Sequence, residues 1–253
     1  MKIDYLPGNY IYLPGGAPYS SGVRAMPGYE LMHMTLMRPL PLTEGIAAVV
    51  QYLAEIGRPP QALCGIELRC PQPYTFAGFA AFNEEYRALL QRYNMLSDGP
   101  NPIARTNIAP VTDIPRQQVI HALTYTIPAA YRASRASFVI SGAGELMEAS
   151  LDAAAIVRPG EISEDALREK ASLVMDVMQS RLDDLELDWS QVTCINIYTV
   201  HNLTAFLRHT ILDRMGGASR FGVHWYLSRP PVEDIEFEMD LRGLTHERYE
   251  DIV

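Results

Sequence analysis

One order of sequence patterns, run through twice, restricts this chain more than any other feature. Residues 29–37 (YELMHMTLM) alternate loosely as a strand and stop at Arg38-Pro39. An apolar stripe follows at Ile46, Ala47, Val50, Leu53 and Ala54, opened by Thr43 as N-cap and closed by Gly57, the signals of one helix. Residues 62–70 read as a second strand with Cys64, Ile66, Leu68 and Cys70 on one face, and Pro71 and Pro73 end it. A long helix over 76–93 is expected to bury Phe79, Phe82, Tyr86, Leu89, Leu90 and Tyr93, and strands at 105–111 and 117–127 complete the set. The order then restarts with a strand at 137–141, a helix capped by Ser163 with Glu164 and Asp165 in its first turn, and a strand at 192–200. A helix capped by Asn202 and ended by Gly216-Gly217 comes next, then strands at 220–227 and 235–241. Gln61-Ala62-Leu63-Cys64 and Gln191-Val192-Thr193-Cys194 stand at matching places, 130 residues apart. Residues 1–28, rich in Gly, Pro and Tyr, predict turns and short edge strands.

This order predicts an α+β chain of two tandem domains, 1–130 and 131–253, joined near residues 128–134. Each would be a mixed sheet with two helices packed on one face. A chain of 253 residues that is 48% hydrophobic can fill two such cores. The net charge of −9, with no basic run, argues against nucleic acid or an anionic membrane as partner. A small anionic metabolite remains open, because one buried arginine can dominate a pocket. The only lysines are Lys2, at the chain start, and Lys170, among charges on a helix, which argues against Schiff-base chemistry. Cys64, Cys70 and Cys194 lack Cys-x-x-Cys spacing and read as buried thiols of a reducing compartment. With no apolar leader in MKIDYLPGNY and no window of membrane-spanning length, a cytoplasmic protein is expected. His201, His209 and His224 lack metal-ligand spacing, and no Gly-rich phosphate loop opens a helix, so neither metal nor cofactor is expected.

Arg105 opens an apolar run in Ile103-Ala104-Arg105-Thr106, and Arg220 has the corresponding place in Ala218-Ser219-Arg220-Phe221. A guanidinium presents a fixed fork of donors that matches a carboxylate. The other reading is an edge-strand arginine, or one paired with a nearby acid. His121, with Ile120 and Leu123 around it, is either a proton relay or a core histidine bonded to a backbone carbonyl. Glu238, in the acidic stretch VEDIEFEMD, either faces solvent or lines a pocket and orients water. Asn83 and Tyr19 either position a substrate or are a helix-surface amide and a half-buried ring.

Several of these stretches together resemble the reactive-intermediate deaminase (Rid, YjgF, L-PSP-like) family, in two copies. In the first half Ala17-Pro18-Tyr19 is similar to the family's Gly-Pro-Tyr, Phe79-Ala80-Ala81-Phe82-Asn83 to its Phe-x-x-x-Asn turn, and Ile103-Ala104-Arg105-Thr106 to its Pro-Ala-Arg-Ser strand. His33-Met34-Thr35-Leu36 replaces the family's Ser-Gly-Gln, and His121 falls near its glutamate. The second half has Ser141-Gly142, Arg220 and Glu238, with Thr210 at the place of the asparagine. The resemblance implies YjgF-like (chorismate-mutase-like) domains, a homotrimer with pockets between neighbours, and cofactor-free hydrolysis of a small carboxylate-bearing imine, enamine or hydroxylamino compound. It implies Arg105, His121 and Glu238 as catalytic residues, and Tyr19, Asn83, Thr106 and Arg220 as substrate-binding ones. Arginine, tyrosine and asparagine in one half and glutamate in the other point to a composite site. Two alternatives keep the fold: a chorismatase-like or ring-opening enzyme, and a non-catalytic small-acid-binding protein.

Overall fold

In a computed structural model that describes residues 1–96, 99–130, 135–147 and 152–252, the chain opens with an antiparallel meander, β1 (Ile3–Tyr5), β2 (Tyr10–Leu13) and β3 (Gly22–Ala25). It continues through β4 (Tyr29–Pro41), α1 (Leu42–Glu55), β5 (Leu63–Arg69), α2 (Phe76–Arg92), β6 (Ala104–Pro110) and β7 (Val119–Pro128). The second half supplies β8 (Phe138–Gly144), α3 (Glu164–Asp184) and β9 (Cys194–Tyr198). A π-helical turn, Leu207–Ile211, runs into a 3-10 stretch, Leu212–Phe221. Short strands β10 (His224–Tyr226) and β11 (Ser228–Arg229) precede β12 (Glu238–Gly243) and β13 (His246–Glu250). Among the described residues no helix is long and apolar enough to cross a membrane.

The architecture is α+β with two mixed sheets, ordered β11-β6-β5-β7-β4-β13 and β1-β2-β3-β8-β12-β9-β10. Each sheet buries its outer face under helices. Met34, Ile66, Leu68, Leu123 and Tyr125 pack against Ile46, Val49, Leu53, Phe82 and Leu90 of α1 and α2. Phe138, Ile195, Ile197 and Leu241 pack against Leu167, Val174, Met178 and Leu182 of α3, and against Ile211 and Met215. The inner faces meet. Tyr5, Tyr10, Tyr12 and Val23 of the meander pack there on Leu31, Cys64 and Ala104. The central strands separate at residue 130, but the edges do not: the meander completes the second-half sheet, and β11 and β13 complete the first-half sheet. Of the expected linker, residues 131–134 lie outside the described residues.

Several local expectations need correction. Helix α1 starts one residue before Thr43, with Pro41 as N-cap and no side-chain cap, because the β4 backbone runs straight into the helix. A register shift between Leu63 and Gly65 turns Cys64 to the inner face, away from Ile66 and Leu68. The helix expected after Asn202 is a π and 3-10 run kinked at Gly216, whose φ of 53° only glycine adopts easily. That run extends through Arg220, so the strand expected from residue 220 begins only at His224. Ser163 does cap α3, its side chain accepting from the Ala166 N–H.

Candidate active site

The site grows from a seam where the inner faces of the two sheets meet. Ser141 on β8 accepts the Arg105 N–H at its Oγ (3.1 Å) and donates its hydroxyl to the Ser20 carbonyl (2.6 Å). The next residue, Gly142, donates its N–H to Thr106 Oγ1 (3.1 Å). The loop between β2 and β3 is held by Ser20 N–H on the Ile103 carbonyl (2.9 Å) and by Asn101 Nδ2 on the Pro18 carbonyl (2.6 Å). These bonds hold Tyr19 over Arg105.

Alternation along β6 sends Ala104 and Thr106 to the inner face and Arg105 toward α2. There the guanidinium lies among four rings, with its carbon 4.4 Å from the centre of Tyr19, 4.8 Å from Tyr86 and 5.4 Å from Phe79 and Phe82. Its Nη2 donates to Asn83 Oδ1 at 2.7 Å, and its buried Nη1 has no hydrogen-bond partner. Among the described residues it forms no ion pair, although only 3% of it is exposed. Ring faces and one amide compensate a buried cation only in part. Burial accordingly lowers the Arg105 pKa. Asn107, two residues on, has a buried Nδ2 that is also unpartnered, and it lines the same cleft.

Glu238 opens β12, opposite Gly144 on β8 and Tyr198 on β9. A Cβ at residue 142 would run into its carboxyl group, so glycine there is what lets the acid sit against the β8 backbone. Burial first, and then Asp240, push the Glu238 pKa well above the usual carboxylate range, against the opposing pull of Arg105 and Arg181. The cleft therefore favours the protonated form of this acid more than solvent would.

A cleft of about 340 Å³ joins these groups, lined by Tyr19, Arg105, Asn107, Gly142, Arg181 and Glu238 among polar residues. Phe79, Val177, Val232 and Ile235 give it apolar walls. Arg181 enters from α3, donating Nη1 to the Ser141 carbonyl at 2.8 Å. It was missed in the sequence, although a cation three residues after Met178, on the stripe that includes Ala171 and Val174, was a signal. Asn107 carried none.

The structure thus brings Arg105, Tyr19, Asn83 and Glu238 together, with Tyr19, Arg105 and Glu238 lining the cleft directly. Thr106 faces the other way, donating to Asp240 Oδ2 at 2.8 Å between the sheets. His121 lies two strands from Arg105, across β5, beside Arg69, Glu67 and His33. Burial first, then Arg69, lower its pKa to about 4, so it is neutral at neutral pH. Arg220 is exposed in the 3-10 run, its guanidinium 4.7 Å from the Phe221 ring and outside the cleft. The cysteines are buried, and burial raises the thiols of Cys70 and Cys194 to about 12, which leaves no thiolate nucleophile. Among the described residues no group of three or more His, Cys, Asp and Glu is placed to hold a metal ion.

The fold of two sheets is similar to that of a chorismatase. A crystal structure of that enzyme superposes with a TM-score of 0.54 over 88% of this chain and 77% of that one, at 12% identity, a likeness of fold alone. The chain itself belongs to a deaminase family: the family described as 2-aminomuconate deaminase CnbZ matches residues 2–248. A 2-amino-5-chloromuconate deaminase of Comamonas testosteroni is 38% identical over 246 residues, 97% of each chain.

Proposed function

We propose that this protein hydrolyses the enamine of an aminomuconate-type acid, releasing ammonia and leaving a 2-keto acid. The observation that carries this reading is one cleft holding a buried arginine with an unpartnered Nη1 and a buried glutamate whose pKa burial raises. The names of the relatives supply the substrate class: a 2-aminomuconate is an enamine flanked by a carboxylate. Arg105 takes that carboxylate through its free Nη1, with Asn107 Nδ2 beside it, and the four rings exclude water from the contact.

Glu238 then gives its proton to the enamine β-carbon, converting the C=C–NH₂ unit to C–C=NH₂⁺. The resulting carboxylate accepts a proton from the water that adds to the iminium carbon. Transfer of that proton to nitrogen lets ammonia leave as the carbinolamine collapses to the ketone, and the hydroxyl proton lost in the collapse returns to the Glu238 carboxylate. The balance is enamine plus water to ketone plus ammonia. A neutral acid at the start is what the first step requires, and the upward shift of the Glu238 pKa by burial supports that role. Tyr19 covers the guanidinium and Asn83 orients it. The reading also takes the two halves as diverged copies of one Rid-like unit, which is why the arginine and the acid come from different halves.

Ammonia release from 2-aminomuconate, measured with purified protein, tests this directly. Glu238→Gln is expected to lower kcat about 10²–10⁴-fold, as for loss of a general acid. Arg105→Gln is expected to lower kcat/KM about 10²–10³-fold. Unchanged rates in both variants would sink the proposal.

A further inference from the structure

The cleft holds a second cation whose surroundings packing alone does not explain. Arg181 donates one hydrogen bond, from Nη1 to the Ser141 carbonyl, and among the described residues makes no ion pair. It stands on the same face of α3 as Val177 and Ser180, and all three line the cleft. The cleft lining contains two arginines and one acid, Glu238, whose pKa burial and Asp240 raise, so a single carboxyl group faces two cations. Two like charges in a water-poor cleft repel each other, and a ligand with a single carboxylate relieves only one of them. A ligand with a carboxylate at each end relieves both. The same cleft has hydrocarbon walls from Phe79, Val177, Val232 and Ile235.

We propose that Arg181 is a second carboxylate anchor, which makes the cleft a site for a short, unbranched dicarboxylate. Arg105 holds the carboxylate beside the reacting carbon, and Arg181 holds the remote one. This inference rests on the deaminase reading for its orientation, and on the two unpaired arginines for its substance. It assigns Arg181 to specificity: the remote carboxylate is what separates a dicarboxylate enamine from a smaller monocarboxylate one.

A pair of unreactive probes isolates the effect. Muconate and sorbate share the hexadiene skeleton and differ in that sorbate lacks one terminal carboxylate. Calorimetric titration of the whole protein is expected to show muconate binding at least 10-fold more tightly than sorbate. Arg181→Gln is expected to weaken muconate about 10- to 100-fold, the loss of one charge-assisted contact, and to leave sorbate within about two-fold. Arg181→Lys keeps the charge and is expected to recover part of the preference. Equal affinities of the wild-type protein for the two acids would overturn the anchor whether or not either variant folds. Equal weakening of both acids by Arg181→Gln would overturn it too, because that is what a purely structural bond to Ser141 predicts. Ammonia release by the wild-type protein is scored apart. No ammonia with an intact muconate preference overturns the reaction and keeps the anchor, and ammonia without that preference overturns the anchor alone.

Discussion

The seam between the sheets contains two charged regions built from the same residue types to opposite ends. On the inner faces, Glu67 accepts from Arg69 Nη2 at 3.2 Å and Arg242 Nη1 at 3.3 Å, and His33 Nε2 lies 3.6 Å away. Asp240 receives Thr106 Oγ1 (2.8 Å), Asn196 Nδ2 (2.9 Å) and Tyr198 Oη (2.8 Å). Arg242 Nε donates to Glu247 Oε1 at 2.6 Å. Burial alone would raise Glu67, but His33, Arg242 and Arg69 hold it down to about 2. In the cleft, among the described residues, Arg105 and Arg181 form no ion pair, and burial raises the Glu238 pKa well above the usual carboxylate range. The paired region ties the sheets together. The unpaired one stores electrostatic demand that a ligand can satisfy. Burial does not distinguish them; the number of satisfied partners does.

The contrast is sharpest in a pair of substitutions read by denaturant unfolding. Glu67→Gln takes the acid partner from the buried Arg69 and one of two from Arg242, and is expected to cost about 3–5 kcal/mol, with activity per folded molecule retained. Arg105→Met removes a cation that was never paired, and its cost should stay below about 1 kcal/mol even as activity collapses, because the lost Asn83 bond is offset by relief of desolvation. Equal destabilisation by the two would break the comparison.

A smaller effect comes from His33, whose pKa is lowered from 6.5 to about 4 by burial first and by Arg242 second. The unfolded chain binds this proton near 6.5 and the folded chain only near 4, so between those values the unfolded state takes up more protons. Stability therefore falls as the pH drops from about 6.5 to 4, by about 3 kcal/mol from this group. Asp240, raised from 3.8 to about 6, works the other way over its own range, losing stability as the pH rises. Comparing wild type with His33→Gln cancels that term, and a shallower acid slope in the variant is the expected result. The smallest effect is assigned to Arg220→Ala: within about 0.5 kcal/mol of wild type in unfolding, with unchanged ammonia release, as for an exposed side chain outside the cleft. A loss of activity there would return Arg220 to the site.

Periodicity made the central strands and α1, α2 and α3 legible, because one buried face forces a repeat of two or 3.6 residues. The Gly- and Pro-rich opening was legible as short strands, but not the sheet it joins. Pairing across a hundred or more residues leaves no local mark. The stretch 207–221 carries a helical pattern of apolar residues, and Ile211, Met215 and Ala218 are buried as such a pattern demands, yet the backbone takes π and 3-10 turns. In the site, Arg105 was visible as a cation at a strand start, and Glu238 as an acid within the strand expected over 235–241. His121 was misplaced because the register shift between Glu67 and Leu68 alters which face each β7 residue meets, and one step along a strand exchanges the two faces. Arg181 was hidden by its helix, where a long cation normally reaches solvent.

The exchange of sheet edges sets a timetable for synthesis. The meander ending at Ala25 emerges first, but β8, the strand that receives it, begins only at Phe138, and the outer neighbour of β4 begins only at His246. Vectorial emergence from a ribosome therefore leaves the first-half sheet with an open edge until the last strand is made. Until β8 is made, β3 lacks its neighbour on that side. A cut between Pro128 and Phe138 would therefore leave each fragment carrying strands whose sheet neighbours lie in the other.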